Sequence, residues 1–228
     1  MSIEPYTGVD NLEMMRDARN YTDFLLDLIA RDAPPQGQIA DFGAGAGDFA
    51  HHLGAAGRDI LCVEPDRTLR SMLADRGLRA VETLESVADE SLDFIYSLNV
   101  LEHIDNDAAV ADMWRRKLRP GGRLLVYVPA FPCLFTSMDR KVGHLRRYTR
   151  ATLPPLLDEV GFRVEDARYV DSLGFFATLI FRLIGSGDGS INRRALIAYD
   201  RLAFPVSRLL DRPAGRLLGK NLVVRAIK

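Results

Sequence analysis

The feature that most constrains this chain is a short apolar run followed by three glycines, at residues 39–50. The segment reads IADFGAGAGDFA, with Gly43, Gly45 and Gly47 at every second position after Asp41. Glycine has no Cβ, so it permits a positive φ and lets a ligand approach the main chain. A helix beginning here would point free N–H groups at that ligand. The pattern predicts a strand, a ligand-binding turn and a helix, with a plain tight turn as the alternative.

The charges around the turn favour a ligand with a cationic end. The dinucleotide fingerprint places its third glycine three residues after the second, where this chain has Asp48. A pyrophosphate would meet that carboxylate. Asp41 also precedes the first glycine, and the next apolar run, DILCVE at 59–64, ends at Glu64, where an acidic residue can bind both ribose hydroxyls. S-adenosylmethionine, with its ammonium, sulfonium and ribose, matches this arrangement.

These residues resemble class I S-adenosylmethionine-dependent methyltransferases, and the resemblance continues downstream. LDFIYSLNVLEHI at 92–104 resembles that family's fourth strand and the turn after it, and LRPGGRLLVYVP at 118–129 resembles its turn into strand five. The matched segments follow one another in the family's order from residue 39 to residue 129. The resemblance implies an enzyme that uses S-adenosylmethionine and releases S-adenosylhomocysteine.

The resemblance also implies a role for each matched residue. Asp41 and the glycines would hold the methionine end, Glu64 the ribose, and Glu82 or Thr83 the adenine side, with residues 85–86 as substitutes if the register slips. The full set implied for the cofactor is Asp41, Gly43, Gly45, Gly47, Glu64, Pro65, Glu82, Thr83, Asn99 and Val100.

Alternation of strands and helices from residue 39 to residue 128 predicts an α/β fold with a doubly wound, mostly parallel sheet. The resemblance implies seven strands, a Rossmann-like methyltransferase fold, with strand seven antiparallel between strands five and six. The best strand-seven candidate, 221–227, comes about fifty residues after strand six. The predicted division is an N-terminal helical cap at 1–35, the S-adenosylmethionine-binding core at 36–170, a helical insertion at 171–220 and the final strand at 221–228.

In this family the N-terminal segment covers the mouth of the cofactor pocket. Apolar residues within 12–30 fit one or two amphipathic helices, with Asn20 or Thr22 as a possible cap. Tyr21 could therefore touch substrate or cofactor. The alternative is that Tyr21 only packs its helix.

The long segment at 129–149 is the predicted acceptor side, because loops of this length inside a domain are often functional. Its Asp139 and GHLRRY sequence resemble a bacterial branch associated with glycan and lipid-linked sugar pathways. The candidates for substrate binding are Tyr21, Asp139, Arg146, Arg147 and Tyr148. The two arginines could grip a phosphate or carboxylate, or they could pin the loop to Asp139 and the sheet.

A general base is needed only if the acceptor holds its proton at neutral pH, and histidine is the usual choice. His144, in the long loop, and His103, in the turn after strand four, are the candidates. His103 could instead be a structural contact of that turn, with Glu102 as its orienting partner or merely a charge at a helix start. No histidine, cysteine and carboxylate set has metal-ligand spacing, so the sequence predicts no metal.

The insertion joins an apolar stretch to a basic one. The formal net charge is −1, yet residues 182–228 contain ten Lys or Arg and three Asp or Glu, a balance of +7. Residues 173–212 could therefore contact an anionic membrane surface. The alternative is a helical lid packed on the sheet or on a second subunit, so the chain is expected to be a monomer or homodimer.

Other classes fit less well. The sequence shows no secretory signal, no long apolar span and no disulfide spacing, so we expect a cytoplasmic protein. The protein would be peripheral at the inner membrane face if residues 173–212 contact lipid. The sequence also has no basic surface interleaved with aromatic residues, so we expect no nucleic-acid partner. The expected acceptor is an O or N, less readily a C, of a small molecule or lipid-linked glycan. The rivals are an NAD-dependent dehydrogenase, opposed by Asp48, and a non-catalytic membrane-surface scaffold, opposed by Asp41 and Glu64.

Overall fold

The fold is organised around a seven-stranded sheet in a computed structural model that describes residues 17–184 and 192–228. The strands are β1 (Gln38–Phe42), β2 (Asp59–Val63), β3 (Arg79–Val81), β4 (Leu92–Leu98), β5 (Leu118–Pro129), β6 (Arg163–Val170) and β7 (Asn221–Ile227). Strand β5 spans the whole segment 118–129, including the residues expected to form the turn into strand five, because Leu118 already pairs with Leu92 ahead of a register shift.

The strand order is β3-β2-β1-β4-β5-β7-β6. Strands β1 to β5 run parallel, whereas β7 is antiparallel to both β5 and β6. The predicted doubly wound sheet and the antiparallel position of strand seven between strands five and six are thus confirmed. The carboxyl ends of β1, β2 and β4 meet at one edge, which is where open α/β sheets bind ligands.

Helices cover both faces of the sheet. They are α1 (Arg19–Asp32), α2 (Asp48–Ala55), α3 (Arg67–Asp75), α4 (Asp107–Lys117), α5 (Ser137–Lys141), α6 (Leu153–Glu159), α7 (Ser172–Ile184), α8 (Arg193–Ala198) and α9 (Phe204–Ala214). Ile95 points to the face covered by Trp114 of α4, while its neighbours Phe94 and Tyr96 point to the face covered by α1. Both faces are apolar because a parallel sheet is buried on both sides.

The cap of α1 differs from the prediction. Neither Asn20 nor Thr22 caps the helix, which begins at Arg19 after Ala18 and has no side-chain cap of its own. Instead, the buried carboxylate of Asp200, 180 residues away, accepts hydrogen bonds from the backbone N–H groups of Asn20 at 3.1 Å and Tyr21 at 2.9 Å. The insertion therefore supplies the acceptors that this helix start lacks.

Within the predicted helical insertion, a π-helical turn, Tyr199–Ala203, lies between α8 and α9. The wider turn comes just before Pro205, which has no N–H to donate to an ordinary helical bond. Residues 1–16 and 185–191 lie outside the described residues, and with them parts of the predicted N-terminal helical cap and of the predicted insertion.

The insertion leaves large apolar side chains exposed. They are Phe176, Ile180, Leu183, Leu202, Val206, Leu209, Leu210 and Leu217. Among the described residues, no helix has both the length and the hydropathy needed to cross a membrane. The hypothesis of a membrane-surface contact through 173–212 stays a prediction.

Candidate functional site

The glycine turn joins β1 to α2, and its three glycines, which occupy every second position, all have positive φ. Gly43, Gly45 and Gly47 have φ of 83°, 55° and 79°. A Cβ on Gly43 would lie 2.3 Å from Val100 Cγ2, and one on Gly47 would lie 2.3 Å from Leu73 Cδ2. The two outer glycines are therefore required both by conformation and by close packing, which keeps the main chain of the turn open at the sheet edge.

Asp41, the penultimate residue of β1, is a buried carboxylate with no counter-charge among the described residues. It is 3% exposed, and its Oδ2 has no hydrogen-bond partner among the described residues. Burial raises the pKa of Asp41 to about 7, opposed by the neighbouring Tyr96 hydroxyl and reinforced by the charge of Glu64. A cation bound at the turn would supply the missing partner.

Glu64 lies just past the end of β2, buried between the glycine turn and the start of α3. Its Oε2 accepts the N–H of Gly45 at 2.8 Å, and its Oε1 accepts the N–H of Asp66 at 3.0 Å. Burial raises the pKa of Glu64, whereas these two bonds lower it. Each carboxylate oxygen keeps a further lone pair, so the group can also accept ligand hydroxyls.

The remaining cofactor candidates lie at the same edge. Arg70 donates to the Pro65 carbonyl at 2.6 Å and to Glu82 Oε2 at 3.2 Å, which holds the two exposed loops after β2 and β3 together. Thr83 Oγ1 caps a short turn by accepting the Glu85 N–H at 3.3 Å. The structure therefore brings Glu64, Glu82 and Thr83 to one side of the glycine turn.

Asn99 and Val100 follow β4 on the other side of that turn. Asn99 has a positive φ of 54°, and its N–H donates to the Tyr127 carbonyl at 2.7 Å. The Tyr21 hydroxyl lies beside Asn99 and Tyr127, and burial raises the pKa of Tyr21 to about 12. The ring of Tyr21 also packs edge-on against Phe204, with 5.6 Å between centroids. Tyr21 thus both packs helix α1 against the insertion and lies next to the candidate site at Asn99.

The segment 129–149 contains α5 and is held by one buried carboxylate. Asp139, 1% exposed, accepts hydrogen bonds from Arg147 Nε and Nη2 at 2.9 Å each, from Thr136 N–H at 2.7 Å and from His144 Nδ1 at 2.8 Å. Burial would raise the pKa of Asp139, but the bonds from His144 and Arg147 hold it well below its usual range. These contacts favour the loop-pinning alternative for Arg147.

Arg146 and Tyr148 are likewise engaged within the protein. Both donate to Asp107 Oδ2, Arg146 Nη1 at 3.0 Å and the Tyr148 hydroxyl at 2.8 Å. Asp107 is the first residue of α4, so the pair fastens the loop to the helix after β4. The Leu145 N–H also donates to the Glu102 carbonyl at 2.8 Å, which joins the loop directly to the turn that contains His103.

This junction brings the two candidate histidines together with Glu102. The rings of His103 and His144 are 4.7 Å apart between centroids, and His144 Nε2 lies 3.7 Å from Glu102 Oε1. Burial and the nearby His144 lower the pKa of His103 to about 4, and burial raises the pKa of Glu102 to about 8. Sequence spacing could not show this cluster, because the residues come from two loops about forty positions apart.

Two further residues near the segment were missed by the sequence reasoning. Asp107 organises Arg146 and Tyr148, as described above. Burial lowers the pKa of Lys220, which lies near Asp171 and Asp139. Neither residue belongs to a motif, so the sequence carried no local signal for them.

Comparison with known proteins now gives the family. A family model described as a methyltransferase domain matches residues 14–167, about two thirds of the chain. The chain belongs to this family. A curated methyltransferase relative, the ubiquinone biosynthesis O-methyltransferase of Xylella fastidiosa, is 29% identical over 44% of the chain and 46% of its own length. The chain spans 31% to 53% of the length of other curated methyltransferases that it matches.

Solved methyltransferase structures share the fold. A chain of the complex between the Haloferax volcanii Trm112 methyltransferase activator and its methyltransferase partner has a TM-score of 0.69 at 12% identity, covering 99% of both chains. Phosphoethanolamine N-methyltransferase 2 of Haemonchus contortus, solved with S-adenosyl-L-methionine, has a TM-score of 0.58 at 15% identity, covering 89% of this chain and 51% of that one. At these identities the likeness concerns the fold alone.

Proposed function

We propose that this methyltransferase-family chain is an enzyme that uses S-adenosylmethionine to methylate an oxygen or nitrogen, less readily a carbon, of a small molecule or lipid-linked glycan. The observation that supports this most directly is the pair of buried carboxylates, Asp41 and Glu64, on either side of the open glycine turn. A ligand with a cationic amine and a ribose satisfies both, whereas a pyrophosphate would be repelled.

The residues of the edge suit the parts of this cofactor. Asp41 would balance the ammonium, Glu64 would accept from the ribose hydroxyls, and Glu82 or Thr83 would border the adenine. Asn99 and Val100 would line the space around the methyl group. When bound, S-adenosylmethionine supplies a methyl group on a sulfonium that is already a good leaving group, so the protein's main tasks are positioning and exclusion of water.

The acceptor would lie against the segment 129–149 and the turn after β4. His144 is the better placed of the two histidines to take a proton, because Asp139 fixes its Nδ1 and leaves Nε2 directed toward Glu102. Tyr21 borders the same space. Asp139, Arg146, Arg147 and Tyr148 would shape the acceptor side by holding the segment in place. The name of the Xylella relative supports oxygen as the accepting atom.

Thermal unfolding with separate ligands tests the donor. S-adenosylhomocysteine and S-adenosylmethionine at ~100 times their dissociation constants should each add ~2.7 kcal/mol, raising the unfolding midpoint by roughly 5 to 10 °C, and NAD should add nothing. A shift with NAD alone would favour the dehydrogenase, and no shift with any ligand would favour a scaffold.

A methyl-labelled donor incubated with aqueous and lipid extracts would then show which fraction contains the acceptor.

Binding of S-adenosylhomocysteine should weaken as pH falls from 8 to 6. The pKa of the ligand-free Asp41 is raised to about 7, so its contribution to stability is present below about pH 4 and lost as pH rises through 7. A cationic ligand requires the ionised form, and affinity should fall by up to about tenfold per pH unit below 7. Calorimetry on Asp41→Asn should show weaker binding at pH 8 and little change with pH; a parent protein with flat affinity would contradict this role.

A further inference from the structure

We propose that Glu102, His103 and His144 form a binding site for a divalent transition-metal ion of the Zn²⁺ or Mn²⁺ kind. Each residue offers one ligand atom, and these three atoms lie within 4.8 Å of one another. Two imidazole nitrogens and one carboxylate oxygen form a donor set that such ions accept in proteins.

All three ligand atoms lie within 4.8 Å of one another, and one of the separations is close to that of a metal site. Two ligand atoms at ~2.1 Å from a shared ion lie about 3.0 to 3.4 Å apart, depending on the bond angle. His144 Nε2 and Glu102 Oε1 are already 3.7 Å apart. This separation is longer than a hydrogen bond and leaves only a small closing movement, which side-chain rotation of the two partly exposed histidines can supply.

Glu102 is a buried carboxylate without a hydrogen-bond partner among the described residues. Its side chain is 0% exposed, and neither carboxylate oxygen has a hydrogen-bond partner in the described part of the chain. The nearby buried cation, Arg147, donates two hydrogen bonds to Asp139 and none to Glu102. Buried carboxylates are normally paired or coordinate a metal, so this group indicates a cation that protein side chains do not supply.

His144 is oriented as metal-binding histidines usually are. Such histidines bind the ion through one ring nitrogen and donate the other N–H to a carboxylate or carbonyl, which fixes the tautomer. Here His144 Nδ1 bonds Asp139 Oδ1 at 2.8 Å, and Nε2 faces Glu102. The ring of His103 is hydrogen-bonded to the backbone of Gly143.

Three protein ligands leave coordination positions open for water or another oxygen ligand. The ion could therefore also bind an oxygen of the acceptor, an extension that rests on the proposed methyl transfer. In that case His144 and His103 would position the ion and would not accept the acceptor's proton. Binding of the ion itself is independent of the transfer reaction.

Metal binding can be measured on the full chain without an acceptor. After chelator treatment, Zn²⁺ binding is followed by calorimetry and Mn²⁺ binding by electron paramagnetic resonance. We expect one ion per chain. Glu102→Gln, which preserves shape, and His103→Asn should each raise the dissociation constant at least tenfold. His51→Asn is the control, because His51 is exposed on α2.

The unfolding midpoint and the S-adenosylhomocysteine shift of each variant show whether it has folded. Failure of the parent to bind either ion would overturn the metal site, and so would parent-like affinity in a folded Glu102→Gln or His103→Asn variant. Ion binding without an S-adenosylhomocysteine shift would support the metal site while contradicting the proposed donor.

Discussion

Asp139→Ala should lower the free energy of unfolding by about 3 to 5 kcal/mol, because it leaves the buried guanidinium of Arg147 without its counter-charge. The arginine side chain is 6% exposed and makes two hydrogen bonds to this one carboxylate. The same substitution removes the acceptor of the Thr136 N–H and of His144 Nδ1. For a chain of this size the unfolding midpoint should fall by roughly 6 to 20 °C.

Thermal and urea unfolding of parent and variant at pH 7 measure this difference. Asp112→Ala is the matched control, since in the described part of the chain Asp112 forms an exposed pair with Arg116, and its loss should leave the midpoint almost unchanged. Because the pKa of Asp139 is depressed in the folded state, its contribution is present above about pH 4 and disappears as pH falls through the folded pKa. The difference between parent and Asp139→Ala should therefore shrink in acid. Equal midpoints at pH 7 would mean that Asp139 does not hold the segment.

Glu64→Ala should raise the dissociation constant for S-adenosylhomocysteine by about 5- to 150-fold, equivalent to ~1 to 3 kcal/mol for the loss of charge-assisted hydrogen bonds to the ribose. The carboxylate also joins Gly45 to Asp66 through their N–H groups, so its removal loosens the turn that we propose binds the methionine end. Calorimetric titration of parent and variant gives the ratio directly.

Two controls separate binding from folding in that experiment. Glu64→Gln keeps the shape but loses the charge, and its affinity should lie between those of the parent and Glu64→Ala. Glu82→Ala removes an exposed carboxylate on the adenine side, whose protein partner is Arg70, and should have a smaller effect. An unchanged dissociation constant in a folded Glu64→Ala protein would remove Glu64 from the proposed site.

The donor side could be predicted because its signals are local. Asp41, the glycines and Glu64 each stand at a strand end, and parallel strands bring those ends to one edge of the sheet. The left-handed conformation of Gly43 and Gly47 is likewise a property of single positions. The doubly wound parallel sheet could be predicted because alternating strands and helices with the usual crossover hand leave few arrangements, whereas the position of strand seven was implied by the family resemblance.

The acceptor side could not be predicted to the same depth, because its contacts join distant positions. Whether Arg147 binds substrate or holds its own loop in place depended on the position of Asp139 in the fold, which the sequence does not give. Glu102 and His144 lie close together because the loop after β5 is hydrogen-bonded to the turn after β4, from the Leu145 N–H to the Glu102 carbonyl. The expectation of no metal rested on sequence spacing, which does not detect such a cluster. The capping of α1 by Asp200 could not be predicted for the same reason, because the two groups are far apart in the sequence.

The position of β7 between β5 and the edge strand β6 has a consequence for the order in which the molecule can be assembled. Strand β6 pairs with the sheet only through β7, and β7 consists of residues Asn221–Ile227. During synthesis on the ribosome, β1 to β5 can associate as each emerges, but β6 has no strand to join until β7 has been made. The cofactor edge belongs to the part that forms early, whereas β6 and the helices beside it are secured last.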